Sequence, residues 1–180
     1  ETGKPVIFVH ELATGNRTKV ADFPGLNSAP AWSDDGRSLL MTLSKDGNAE
    51  IYRMNLDTRQ LTKLTNHWAI DTEPSYDATG KGIFFTSDRS GGPQIYHMDT
   101  PGAEPRRITF GSRYNARPRP DNDGNYVYYV HQRDRAFHIA RTELKTGEET
   151  ILTRTESDES PSVAPNGRML IYATRQNGSN

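Results

Sequence analysis

The 180-residue chain has no cysteine, which excludes disulfides, thiolate nucleophiles and thiolate metal ligands. Hydrophobic residues make up only 33%, so any core has to be assembled in thin layers. No apolar run approaches the roughly 18 residues of a membrane span. The 22 basic and 23 acidic residues leave a formal charge of -1, so no overall field draws the chain to nucleic acid or an anionic membrane. His10, His67, His97, His131 and His138 are scattered, without the spacing of a zinc site, and G-x-S-x-G is missing. No signal-peptide or transit-peptide pattern is read in it. The sequons Asn16-Arg17-Thr18 and Asn177-Gly178-Ser179 are of a kind that arises by chance.

What the chain does have is repetition. Pro30, Pro74, Pro118 and Pro161 follow one another at intervals of 44, 44 and 43 residues. Gly36, Gly80, Gly124 and Gly167 keep the same intervals. Ile7, Ile51, Ile95 and Ile139 are 44 apart throughout, as are Val20, Leu64, Ile108 and Leu152. A period near 44 fits a helical solenoid or a propeller blade. The interior of each unit decides. "RSLLMTLS", "KGIFFTSD" and "NYVYYVHQ" are short aliphatic and aromatic runs behind glycine-containing turns, and "AEIYRMNLD" alternates at period two. No segment sustains the 3.6-residue periodicity of a helix.

Each unit therefore reads as four antiparallel strands, A to D, with A innermost and following the proline. The expected fold is an all-β propeller. Its phase runs from half-blade 4–27 through blades 28–71, 72–115 and 116–158 to half-blade 159–176. Those four blades' worth of strands suit a closed four-bladed ring, with first and last half-blades paired, or part of a six-bladed one.

Three residues before each proline stand Asn27, Asp71, Asn115 and Asp158, in the loops joining strand D of one blade to strand A of the next. An Asx side chain there can cap the turn by bonding nearby amides. Four inward Asx residues could also supply the oxygens of a weak Ca2+ site, although no calcium-loop spacing is present. Neighbouring positions differ in chemistry from blade to blade, which favours a shaped recognition surface on a rigid scaffold. Trp68, without a counterpart in other units, suits a binding hot spot.

"APAWSDDGRSLLMTLSKDGNAEIYRMNL", "LTNHWAIDTEPSY", "FFTSDRSGGPQIY" and "DESPSVAPNGRMLIYATRQ" resemble the C-terminal propeller of the TolB family, periplasmic components of the Tol–Pal system. The resemblance implies a six-bladed, non-enzymatic propeller without cofactors. It implies that Pal, and colicins by mimicry, dock at the channel mouth. Carried over by position, the contact residues are Leu26, Ala29, Thr72, Glu73, Ala116, Arg117, Asp158 and Glu159. Thr72 and Glu73 match the family's "TEP". Lys45, Arg89 and Arg133 in the B-to-C loops would form a charged rim, tuning association rate more than affinity. The family assigns TolA engagement to an N-terminal segment with no counterpart here, so no TolA contact is expected. The alternatives are an accessory propeller gating a serine peptidase, or an enzyme using Asp71, Glu73, Asp158 and Glu159 in the channel.

Overall fold

The computed structural model describes residues 3–175, among which no helix occurs. Sixteen strands form five antiparallel sheets. A two-stranded sheet comes first, β1 (Ile7–His10) with β2 (Arg17–Ala21). Blade 1 is β3 (Asn27–Trp32), β4 (Ser38–Leu43), β5 (Glu50–Asn55) and β6 (Leu61–Lys63), in that spatial order. Blade 2 repeats it with β7 (Asp71–Tyr76), β8 (Ile83–Ser87), β9 (Gln94–Met98) and β10 (Arg106–Arg107). Blade 3 follows with β11 (Asn115–Pro120), β12 (Tyr126–Arg133), β13 (Ala136–Glu143) and β14 (Glu149–Ile151). A second two-stranded sheet, β15 (Glu159–Val163) with β16 (Leu170–Ala173), comes last.

Two expectations need correcting. Strand A does not follow the proline; it opens at Asn27, Asp71 and Asn115, and at Glu159 in the last unit, so the proline lies inside it. The four-bladed closure is not found either. Among the described residues β1–β2 and β15–β16 are separate sheets. Gln176, which ends the expected last half-blade, and the second sequon lie outside the described residues.

The B strands explain the low apolar content. Leu39, Met41 and Leu43 pack with Tyr52 and Met54 on Ile7, Val20 and Ala21 of the first sheet. Leu40 points the other way, with Ile51 and Leu64, onto Ile83, Phe85, Tyr96 and Met98 of blade 2. Phe84, Ile95 and Ile108 then meet Val127, Tyr129 and Ala140 of blade 3. One strand thus serves two interfaces, which is why it reads as a continuous apolar run rather than an alternating one. Burying each such side chain is worth roughly 1.5–3 kcal/mol. The Tyr129 hydroxyl is fully enclosed yet satisfied, 2.8 Å from the Thr142 hydroxyl and donating to Glu149 Oε2 at 2.6 Å. Gly36, Gly80, Gly124 and Gly167 close the A-to-B turns at φ of 67, 67, 70 and 68°, a left-handed conformation that favours glycine.

Candidate functional site

Every A strand carries the same interruption. In blade 1 Ser28 pairs with Thr42 and Ala31 with Leu40, so Ala29 and Pro30 together oppose Met41 alone. Glu73-Pro74, Arg117-Pro118 and Ser160-Pro161 do the same in their sheets. Two residues against one is a β-bulge. Its first residue is left-handed each time: φ is 48° at Ala29, 54° at Glu73, 60° at Arg117 and 56° at Ser160. None is glycine, so each position holds about 1–3 kcal/mol of backbone strain. The bulge turns these four residues, with Pro30, Pro74 and Pro161, onto one cavity of about 460 Å³, lined also by Arg119 and Ser162.

Polar contacts join the bulges in sequence around this cavity. The Glu73 amide donates to Thr42 Oγ1 of the preceding blade at 3.3 Å, and Thr42 Oγ1 lies 3.3 Å from Thr72 Oγ1. The Glu73 carboxylate accepts from Thr86 Oγ1 at 3.1 Å, the Arg117 amide at 3.0 Å and Arg117 Nε at 3.0 Å. Arg117 Nη1 donates to Ser160 Oγ at 3.2 Å and Glu159 Oε2 at 3.4 Å. Partial burial lowers the Arg117 pKa, but the Glu73 hydrogen bond and the charge of Glu159 outweigh it and leave the group more firmly protonated. Ser75 Oγ adds a bond to the Pro118 carbonyl at 3.0 Å. Blades 1, 2 and 3 and the last sheet are thereby held in succession beside the cavity.

All 180 residues match the family model described as the TolB beta propeller domain. The chain belongs to the TolB propeller family. It is 66% identical to the Tol-Pal system protein TolB of Alcanivorax borkumensis over 179 residues, which are 99% of this chain and 41% of that protein. Identity to the TolB of Ruthia magnifica is 59% over 161 residues, 89% of this chain and 38% of the relative. The crystal structure of TolB from Acinetobacter baumannii superposes with a TM-score of 0.89 at 45% identity, covering 98% of this chain and 44% of that one. The chain therefore spans about two fifths of the curated TolB proteins it matches.

Against this TolB framework the expected contact residues divide. Ala29, Glu73 and Arg117 border the cavity, with Thr72 and Glu159 beside them on the same strands. Leu26 is partly exposed in the loop before β3. Ala116 and Asp158 are buried and present no side chain to a partner. Arg119, Ser160, Thr42 and Thr86 were not expected at the site. Periodicity offered a signal for Ser160, which shares the column of Ala29, Glu73 and Arg117 directly before the proline. The other three are brought in by bulge geometry, which no residue type announces.

The Asx column turns inward. Asn27 accepts from the Phe23 amide at 3.0 Å and donates to the carbonyls of Phe23 and Gly25 at 2.8 and 3.2 Å. Asp71 takes Arg89 Nη2 at 2.9 and 3.2 Å. Asn115 engages Gln94 and His131, both at 2.9 Å, and Asp158 accepts from Thr153 and from Thr155 at 2.6 Å. The backbone amides of Asp71, Asn115 and Asp158 donate to Ala49, Pro93 and Phe137 of the preceding blade at 2.9, 2.8 and 2.9 Å. Asp71, Asn115 and Asp158 are thus staples between blades, while Asn27 caps its own loop; with their oxygens so engaged, the four do not form the expected oxygen cage of a Ca2+ site. No group of three His, Asp or Glu side chains among the described residues could hold a metal ion.

The rim needs the same correction. Arg89 is not a surface charge: it lies 4.9 Å over the Tyr96 ring on its way to Asp71. Lys45 pairs with Asp46 at 2.8 Å, while Arg133 is exposed with Asp134 3.6 Å away. Trp68 is exposed, its ring tilted 35° against that of His67 with centroids 5.1 Å apart, in the loop before β7.

Proposed function

We propose that this propeller is a non-enzymatic docking platform of the Tol–Pal system. It works in the periplasm, taking a Pal-like lipoprotein, or a colicin segment that mimics it, at the mouth bordered by the bulges. Its contribution is to outer-membrane integrity and cell division. The observation that carries this reading is the convergence of four bulges on one cavity, in a chain of the TolB family.

The geometry suits binding rather than turnover. Glu73 and Arg117 are each held by several partners, so no carboxylate is left unengaged as a base beside a nucleophile. What the mouth offers is a preformed surface bearing both charge signs. Thr72, Glu73, Arg117 and Glu159 stand at positions fixed by the strained bulges and their cross-blade bonds. Little ordering entropy remains to be lost on docking, which raises affinity without extra area. Opposite charges within a few ångströms select a partner segment of complementary pattern and disfavour others by leaving one charge unpaired.

Calorimetric titration of the 180-residue chain with the soluble domain of a Pal-like lipoprotein tests this. Glu73→Ala and Arg117→Ala should each weaken binding by roughly tenfold, about 1.4 kcal/mol. Affinity equal to wild type in both variants, with folding confirmed by circular dichroism, would overturn the site. Turnover of a peptidase substrate by the chain alone would overturn the non-enzymatic reading.

A further inference from the structure

Blades 2 and 3 solve the same packing problem differently, and the difference leaves a second opening. In blade 2 the B-to-C loop arginine, Arg89, folds in over Phe85 and Tyr96 to reach the buried Asp71. In blade 3 the corresponding positions hold Asn115 and Arg133. Neutral Asn115 gives an arginine no charge to reach for. The loop itself is shorter: β12 and β13 run on to Arg133 and Ala136, and Asp134 and Arg135 make the turn alone, left-handed at φ of 51 and 69°. That tight hairpin carries Arg133 and Arg135 outward.

The space between this hairpin and the loop at Arg113 is a groove of about 470 Å³. His131 forms part of its floor and is only 3% exposed. A chain of hydrogen bonds fixes its tautomer. Gln94 Nε2 donates to the Ser112 carbonyl at 2.8 Å, so its Oε1 accepts from Asn115 Nδ2 at 2.9 Å. Asn115 Oδ1 must then accept from His131 Nδ1–H, 2.9 Å away. The other ring nitrogen, Nε2, keeps a bare lone pair and has no hydrogen-bond partner among the described residues. Burial lowers the His131 pKa, which keeps the ring neutral near pH 7. Glu149, also on the groove, is engaged by the Tyr129 hydroxyl at 2.6 Å. Arg113 on one wall and Arg133 and Arg135 on the other outnumber Glu149 and Asp134, so the groove is net positive.

We infer that this groove takes an acidic, extended peptide segment of a protein partner. Partner carboxylates meet the guanidiniums of Arg113 and Arg135, and a partner backbone N–H donates to His131 Nε2. Guanidiniums favour carboxylates through paired N–H donors. The bare imidazole nitrogen asks for a donor, which a peptide supplies and a fully deprotonated simple anion does not. The groove shares no lining residue with the mouth cavity, so this site stands apart from the docking reading above.

The test is fluorescence anisotropy of a dye-labelled, end-blocked Glu-rich peptide with the 180-residue chain at neutral pH and low salt. The exposed pair Arg113→Ala/Arg135→Ala should weaken binding by roughly tenfold. Glu149→Gln, which keeps an acceptor for Tyr129 but removes a like charge, should strengthen it about threefold. A Gln-rich peptide should fail to bind. The assignment is overturned if the double variant binds as wild type does, if the Gln-rich peptide binds equally, if no peptide binds, or if inorganic phosphate alone displaces the peptide. Neither variant alters a mouth residue, so loss here with an unchanged Pal titration separates this site from the first.

Discussion

Arg117 Nε lies 3.0 Å from Glu73 Oε1, and the two residues are 44 positions apart, one full repeat. The same structural position in successive blades is thus occupied by opposite charges that pair with each other. A repeat that kept one charge throughout would place like charges side by side around the cavity. Here the departure from uniformity is what joins the units.

That pairing has a measurable size. Arg117 is 39% exposed and Glu73 25%, so solvent screens the attraction. A double-mutant cycle with Glu73→Ala and Arg117→Ala should give a coupling of about 0.5–1 kcal/mol in urea unfolding. A coupling of zero would mean that the ion pair does nothing for the join between blades 2 and 3.

Bulge strain gives a second expectation. Ala29 is left-handed at φ 48°. Ala29→Gly should relieve about 1–2 kcal/mol of left-handed strain and give back part of it in unfolded-chain entropy, for a net gain of about 0.5–1 kcal/mol. Thermal unfolding should shift upward by about 2 °C. A lower midpoint would show that the bulge is not strained at this position.

The inward turn of the Asx column is tested most sharply at Asp71. It is fully buried and holds Arg89, itself almost enclosed. Asp71→Ala strands that guanidinium and should cost about 3–5 kcal/mol, lowering the melting midpoint on the order of 10 °C. A surface role for Asp71 would instead change partner affinity and leave the midpoint where it was.

Asp158 carries a pH dependence. Burial opposes its charge, yet hydroxyl donors from Thr153 and Thr155 outweigh burial and hold its pKa below the ordinary carboxylate value. A carboxyl with a depressed folded pKa contributes stability that is present above its unfolded pKa, about 3.9. That contribution is lost as pH falls through the lower folded value. Asp158→Asn should therefore be less stable than wild type at pH 6, with the gap narrowing as the solution is acidified below about pH 4. Denaturant midpoints taken across that range read the gap directly, and one that stayed constant would count against the assignment.

The propeller was legible because 44-residue columns survive every local variation: Ile7, Ile51, Ile95 and Ile139 announce the period, and the runs around Leu40, Phe85 and Tyr129 announce strands buried on both faces. The direction in which side chains face was much harder to read. Asn27, Asp71, Asn115 and Asp158 share a column, and nothing in the residue type tells a cap folded inward from a ligand folded outward. Whether Arg89 reaches Asp71 or solvent depends on the length of its loop and on the Phe85 and Tyr96 rings beneath it. The left-handed residue before each proline was hidden for a different reason. With strand A read as beginning after the proline, Glu73 and Arg117 read as loop positions, and a residue preceding proline is ordinarily extended, so nothing in the sequence marks a left-handed bulge there.

The prolines carry a consequence for what can enter the cavity beside the bulges. Each A strand is the innermost of its sheet, so one of its long sides has no neighbouring strand. Pro30, Pro74, Pro118 and Pro161 have no N–H to offer there, and the extra residue beside each breaks the regular spacing of the remaining amides. An incoming polypeptide therefore cannot zip onto that side as a further strand, nor can a second propeller aggregate through it. A segment entering that cavity would have to be held through its side chains, so binding there would discriminate by sequence rather than accept any extended chain.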